Sequence, residues 1–289
     1  MQPTTTTAYP LEGRVALVTG ASRGVGAATA VALAAAGCRV ACAARSTAAA
    51  PQRTPGTLDA TVSAIEQAGG EAVAVPTDLS QAEQVERMVE AAVDAFGSLD
   101  ILVNNAAVTF VGDLAIPLHR HDLIMEINLR APLIACRAAV PHLRAAGGGR
   151  IVNVSSVAAL HPYPGLMSYG MAKAGLERLT VDLAGQLFAD AIAVNCFRID
   201  IPVASEGFLA NAPDLDHGDW EPSEVAAEGI VWMLRQPVGY TGWRESMAAM
   251  REREGIMAAR AERPFAGRPP TQLLNGPAWS DDEPREAPQ

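Results

Sequence analysis

Six short, continuous apolar runs alternate with helix-like patterns between residues 14 and 235, and this alternation restricts the fold more than any other feature of the chain. The runs cover residues 14–19, 39–43, 71–75, 99–104, 150–155 and 191–197, and the helical patterns cover 24–37, 58–68, 80–96, 120–146, 169–188 and 221–235. A strand that is apolar on both faces must be covered on both faces, as parallel strands are, and a helix between successive strands supplies the right-handed crossover. The pattern therefore predicts an α/β fold, a doubly wound parallel sheet of six or seven strands with helices on both faces.

With 289 residues, 49% of them hydrophobic and 19% charged, the chain can bury one large core. We expect a single domain over residues 13–262, an N-terminal tail at 1–12 and a C-terminal segment at 263–289. That last segment holds six prolines in 27 residues, so it reads as a disordered tail or as a docking arm anchored by Phe265, Leu273, Leu274 and Trp279. A net charge of −10 and scattered arginines argue against a nucleic-acid surface. The N-terminal ten residues lack a basic end and an apolar core, and the most apolar run, 30–37, is too short to span a bilayer, so no membrane association is expected. Cys38, Cys42, Cys136 and Cys196 show no CxxC spacing. They read as reduced, buried thiols of a cytoplasmic protein. His119, His121, His142 and His217 have no ligand spacing and read as surface or helix-face residues, and no metal site is expected.

The first strand runs into TGASRGVG, residues 19–26, where the first helix begins. Glycines there let the backbone approach a pyrophosphate, and helix N-terminal amides favour the anion. Gly20, Ser22, Arg23, Gly24, Val25 and Gly26 are thus candidate dinucleotide-binding residues, although the spacing is G-x3-G-x-G. At the end of the second strand a carboxylate would accept hydrogen bonds from a free ribose 2′-hydroxyl. This chain has Ala44, Arg45 and Ser46 instead. Arg45 together with Arg23 can grip a 2′-phosphate, which selects NADP(H). Residues 46–57 form a long, proline- and glycine-bearing insertion, placed near the adenosine end of the cofactor.

The stretch SVAALHPYPGLMSYGMAK, residues 156–173, holds a hydroxyl, a phenol and an ammonium. Tyr169 and Lys173 are four residues apart, on one face of a helix. Lys173 is the only lysine in the chain, and lysine differs from arginine in being a compact, flexible and titratable cation. A phenol of pKa about 10 beside such a charge can work as a general acid or base. Either Ser155 or Ser156 could polarise a substrate oxygen. Further upstream, Pro132 lies four residues after Asn128 and has no N–H for the Asn128 carbonyl.

TGASRGVG, the Asn104-Asn105-Ala106-Ala107 run, Asn128, the paired serines, Tyr169 and Lys173 together resemble the short-chain dehydrogenase/reductase family, over about residues 13–242. The insertion resembles, more faintly, the hydroxysteroid dehydrogenase-like group. The resemblance implies a Rossmann-like fold and an oxidoreductase that moves a hydride between NADP(H) and a ketone or secondary alcohol. It places the catalytic serine thirteen residues before the tyrosine, which selects Ser156. Asn128 is implied as the fourth catalytic residue, its carbonyl holding a water that links Lys173 to solvent. Lys173 is also implied to bind the nicotinamide ribose. Asp78 and Leu79 are implied to hold the adenine, and Asn105, Ala106 and Ala107 to support the sheet and the adenosine ribose. His161, Tyr163 and Met167, between Ser156 and the catalytic helix, are candidates for lining the substrate pocket.

Two departures stand out. The Pro-Gly pair usual after the sixth strand is replaced by Arg198-Ile199-Asp200, and we expect Arg198 and Asp200 to pair with one another. After Gly242 the sequence turns charged and helical, so the seventh strand is expected to be lost or reduced. A homodimer through the Asn128 and Tyr169 helices, or a tetramer, is the expected assembly. The opposing reading is a cofactor-binding interaction protein without turnover, and a narrower one is an NAD-dependent alcohol dehydrogenase.

Overall fold

The structure is a computed structural model that describes residues 8–211 and 214–265. The six apolar runs and one short addition form a seven-stranded sheet: β1 (Val15–Thr19), β2 (Arg39–Ala44), β3 (Glu71–Pro76), β4 (Ile101–Asn104), β5 (Gly149–Ser156), β6 (Ile192–Ile199) and β7 (Arg244–Ser246). All pairings are parallel, in the order β3-β2-β1-β4-β5-β6-β7. Successive side chains of a strand face opposite ways, so β1 sends Ala16 and Val18 to one apolar layer and Val15 and Leu17 to the other. The first layer lies under α1 (Gly24–Ala35), α2 (Leu58–Gln67) and α8 (Ser223–Leu234), the last preceded in the chain by the short α7 (Glu206–Asn211). The second lies under α3 (Ala82–Phe96), α5 (Ala131–Ala145) and α6 (Met167–Leu187). Strand order reverses between β1 and β4, and the crevice beyond their carboxyl ends is where such sheets take a ligand.

The helical pattern expected over 120–146 is interrupted. It resolves into α4 (Leu118–Met125), a π turn at Glu126–Arg130, and α5. The Ala131 N–H reaches back five residues to the Glu126 carbonyl, and Pro132 has no N–H. The carbonyls of Ile127 and Asn128 therefore both miss their usual i+4 donor.

The seventh strand is reduced to three residues, paired Cys196–Arg244, Phe197–Glu245 and Arg198–Ser246. Ser246 then caps α9 (Met247–Glu254), accepting the Ala249 N–H at 3.2 Å. The expected pairing of Arg198 with Asp200 does not form. Asp200 accepts the Ala248 N–H at 2.9 Å and the Ser246 hydroxyl, so the carboxylate fixes the start of α9. Arg198 instead forks onto Glu177 of α6. Both residues that replace the Pro-Gly pair are committed to holding elements together.

The folded body begins earlier than Gly13. Leu11 is buried, the Tyr9 N–H donates to the Arg235 carbonyl at 2.7 Å, and the Tyr9 ring lies 3.9 Å from the Arg150 guanidinium. At the other end, Arg263 pairs with Asp216 and Phe265 packs on the core, while Leu273, Leu274 and Trp279 lie outside the described residues. Among the described residues no helix is long and apolar enough to cross a membrane.

Candidate active site

The glycine loop and the segment after β4 meet across the crevice, and Thr19 at the end of β1 joins them. Its hydroxyl accepts the N–H groups of Asn105 at 3.0 Å and Ala106 at 3.1 Å, and its carbonyl accepts the Asn105 amide at 2.8 Å. A Cβ at Gly26 would overlap the Gly20 carbonyl oxygen and the Asn105 amide nitrogen. That glycine is thus demanded by the loop's own packing as well as by any phosphate. Asn104 and Asn153 continue the junction: Asn104 donates to Asn153 at 2.9 Å, and Asn153 donates to Thr180 of α6 at 2.9 Å. Ala107, the last of the expected segment, is exposed.

The insertion at 46–57 folds back onto the glycine loop. Arg23 donates through Nε to the Pro55 carbonyl at 2.6 Å and through Nη2 to the Gly56 carbonyl at 2.9 Å. The buried Ser46 hydroxyl donates to Gly56 as well, at 2.7 Å. Burial lowers the Arg23 pKa, opposed by Glu206 and assisted by Arg45, so the two guanidiniums lie close enough to repel. Arg45 is exposed at the end of β2. Arg23 and Arg45 thus stand together at the carboxyl ends of β1 and β2, with Glu206 acting on Arg23 as well. Nearby, Asp78 accepts the Ser80 N–H at 3.0 Å and its hydroxyl at 2.8 Å, and Leu79 is buried beside it.

On the other side of the crevice the expected catalytic residues come together. Tyr169 is half-buried on the first turn of α6, and Lys173 follows one turn later, 2% exposed. The Lys173 ammonium donates to the Val154 carbonyl at 2.7 Å and stands 5.5 Å from the Tyr169 ring centroid. Ser156, at the carboxyl end of β5, accepts the Ala158 N–H at 3.2 Å. Burial pushes the Tyr169 phenol up to about 12, with Ser156 pulling it partly back. Burial pulls Lys173 down to about 8. Burial outweighs the Ser156 hydrogen bond, so the phenol is held above its ordinary range rather than below it, and the expected depression by the ammonium is not seen. Asn128 is fully buried, and its side chain clasps the Val108 backbone, accepting its N–H and donating to its carbonyl, each at 2.8 Å. Only its main-chain carbonyl, stripped of its helical donor by Pro132, remains for another role.

The candidate substrate residues lie in the segment between Ser156 and Tyr169. Tyr163 and Met167 are exposed, and His161 Nε2 is buried without a hydrogen-bond partner among the described residues. The segment that follows β6 also approaches the glycine loop. Ser205 approaches the glycine loop, its Cβ 2.9 Å from where a Gly24 Cβ would stand, and the Glu206 carboxylate lies beside it. Glu221 closes the base of the segment 204–220, its N–H on the Pro202 carbonyl and its carbonyl on the Ala204 N–H, both at 2.8 Å. The G-x3-G-x-G motif carries no mark of Ser205 and Glu206, which arrive from about 180 residues further on.

Comparison with known proteins identifies the family of the chain. The family model for short chain dehydrogenases matches residues 14–201. An uncharacterized oxidoreductase of Methylorubrum extorquens is 42% identical over 241 residues, which is 83% of this chain and 89% of that protein. Zebrafish (Danio rerio) hydroxysteroid dehydrogenase-like protein 2 is 33% identical over 252 residues, 85% of this chain but only 60% of that longer protein. Among solved structures, carveol dehydrogenase of Mycobacterium avium in complex with NAD superposes with a TM-score of 0.72 at 26% identity, covering 82% of this chain and 96% of that one.

Proposed function

The chain belongs to the short-chain dehydrogenase/reductase family of nicotinamide-dependent oxidoreductases, and from that premise we propose that it is an NADP(H)-dependent carbonyl reductase acting on a small to medium, largely apolar ketone or the matching secondary alcohol. The observation that carries this reading is the buried Lys173 ammonium one turn beyond Tyr169, with Ser156 at the adjoining strand end. Bound NADPH would supply the hydride. Arg23 and Arg45 would hold its 2′-phosphate, the loop Gly20, Ser22, Gly24, Val25 and Gly26 its pyrophosphate, and Asp78 with Leu79 its adenine. Ser46 would border the ribose phosphate, and Asn105, Ala106 and Ala107 would border the adenosine ribose.

In reduction, Ser156 donates a hydrogen bond to the substrate oxygen while Tyr169 gives it a proton. In oxidation Tyr169 takes the proton back. A phenol held neutral by its burial is ready for the acid role, and the Lys173 charge lowers the cost of the phenolate that forms. The Asn128 carbonyl, freed by the π turn and Pro132, can hold a water from which Lys173 and then Tyr169 are reprotonated. His161, Tyr163 and Met167 would line the substrate.

NADPH oxidation across a panel of ketones tests the proposal. Turnover that falls by about 10²–10⁴-fold in Tyr169→Phe, with cofactor binding retained, is expected. Cofactor binding without turnover on any carbonyl would instead make the chain a binding protein.

We further propose a homodimer through α4–α5 and α6, where Leu133, Met171 and Val181 are exposed apolar residues. Sizing that finds only monomer overturns it. The four free, buried cysteines suit a reducing cytoplasm.

A further inference from the structure

A buried ion pair stands directly behind the reacting groups, and none of the steps above uses it. Glu177 follows Lys173 by one turn of α6, so both side chains leave the same helix face, and each residue is 2% exposed. The Glu177 carboxylate is gripped from both neighbouring strands. Its Oε1 accepts the Ser155 hydroxyl of β5 at 2.9 Å and Arg198 Nε of β6 at 2.8 Å, and its Oε2 accepts Arg198 Nη2 at 2.6 Å. Lys173 in turn donates to Val154, the residue before Ser155.

This arrangement keeps a carboxylate near the ammonium without letting it capture the ammonium. A loose glutamate one turn away would close onto the lysine and draw it from Val154 and Tyr169. Arginine's planar fork prevents that by occupying both oxygens.

The charged and titratable groups that face Lys173 are few. From α6 come Tyr169 and Glu177, and from β6 come Cys196 and Arg198. From β5 come the neutral Val154 carbonyl and the Ser155 hydroxyl, and the π turn offers the neutral Asn128. Burial pushes the Cys196 thiol far above its ordinary range, and Tyr169 likewise stays protonated. Among the described residues this leaves Glu177 as the anion that faces the ammonium. Burial pulls Lys173 down, and Cys196 and Glu177 are the groups that oppose it. With the thiol neutral, that opposition falls to Glu177.

We propose that Glu177, clamped by Arg198 and Ser155, is a positioning residue that keeps the buried Lys173 ammonium charged and in place for Tyr169. The proposal rests on the reading of Lys173 as the charge that supports the tyrosine.

Because the chain has a single lysine, protein labelled with ¹³C-lysine gives one side-chain signal whose pH titration reads Lys173 alone, with no turnover needed. Glu177→Gln is expected to lower its midpoint by about one pH unit, and Arg198→Met, which leaves Lys173 as the cation facing the carboxylate, to raise it. Should Glu177→Gln fail to fold with Arg198 buried and unpaired, Arg198→Met still decides, since its carboxylate keeps a partner. In the NADPH assay the pH limb belonging to Lys173 should move with the signal. Midpoints unchanged, or shifted the same way in both variants, would make the pair mere cement and overturn the proposal. Midpoints that shift oppositely in a protein without turnover would leave the proposal standing and remove the reductase reading.

Discussion

The Lys173 ammonium donates to the Val154 carbonyl at 2.7 Å while standing 5.5 Å from the Tyr169 ring centroid, so one buried charge is shared between the backbone of β5 and the first turn of α6. Only a side chain that is long, flexible and compact at its tip can meet both demands from one position.

That burial has a consequence for stability. The folded-state pKa of Lys173 is pulled down to about 8, against about 10.4 for an unfolded lysine. Between those values the unfolded chain binds a proton that the native chain does not, so this group's contribution rises with pH across that window. Below pH 8 the buried charge costs on the order of 3 kcal/mol. Lys173→Met is therefore expected to melt several degrees above the wild type at pH 7, with an advantage that shrinks as pH approaches 10. Thermal unfolding of both proteins across that range checks it, and a difference independent of pH would contradict the linkage.

Lys173→Arg keeps the charge but replaces a point donor by a broad, permanently charged fork. The ammonium is buried and held on the Val154 carbonyl, so the bulkier fork must displace its neighbours. Turnover of NADPH with a ketone is expected to fall at least about 10²-fold. Near-normal turnover would overturn the account of the catalytic site.

Arg45→Asp tests the cofactor assignment. Arg23 is held by the Pro55 and Gly56 carbonyls, so the loop orients one guanidinium, whereas Arg45 is exposed and replaceable. A carboxylate there would repel a 2′-phosphate and accept hydrogen bonds from a 2′-hydroxyl. Losing one charge-assisted contact predicts a drop of about 10–100-fold in the NADPH-to-NADH preference measured as kcat/KM. A wild type that already prefers NADH would remove the premise.

The fold was legible because its signal is local. Each strand from β1 to β6 is an apolar run bounded by turn residues, and the structure moves their ends by no more than two residues. Tyr169 and Lys173 were legible because a four-residue spacing on a helix fixes their shared face. What escaped was set by distant partners. Arg198 and Asp200 are two residues apart, which suggested a pair, yet β6 ends at Ile199 between them and tertiary partners decided the matter: Glu177 claimed one and the start of α9 the other. The π turn was hidden for a related reason. Pro132 marks a lost donor, but the shift of the Ala131 bond to Glu126 is a property of the backbone that no side-chain pattern encodes.

Glu221 offers a test of how the C-terminal segment is tied to the putting-together of the site. The carboxylate is buried and accepts Arg251 Nη2 at 2.7 Å, the Arg260 N–H at 2.8 Å and the Ala261 N–H at 3.1 Å, while its own backbone closes the base of the segment 204–220. Glutamine there retains one accepting oxygen, turns donors toward donors, and leaves the Arg251 charge without its partner. The expected cost is about 2–3 kcal/mol. The loss should be local first, because the sheet core does not pass through Glu221. Limited proteolysis is expected to cut Glu221→Gln within residues 255–265 well before the wild type, and the KM for the carbonyl substrate should rise as the base of the segment 204–220 loosens. Cleavage at the wild-type rate, with an unchanged KM, would show that the carboxylate does not tie the two segments together.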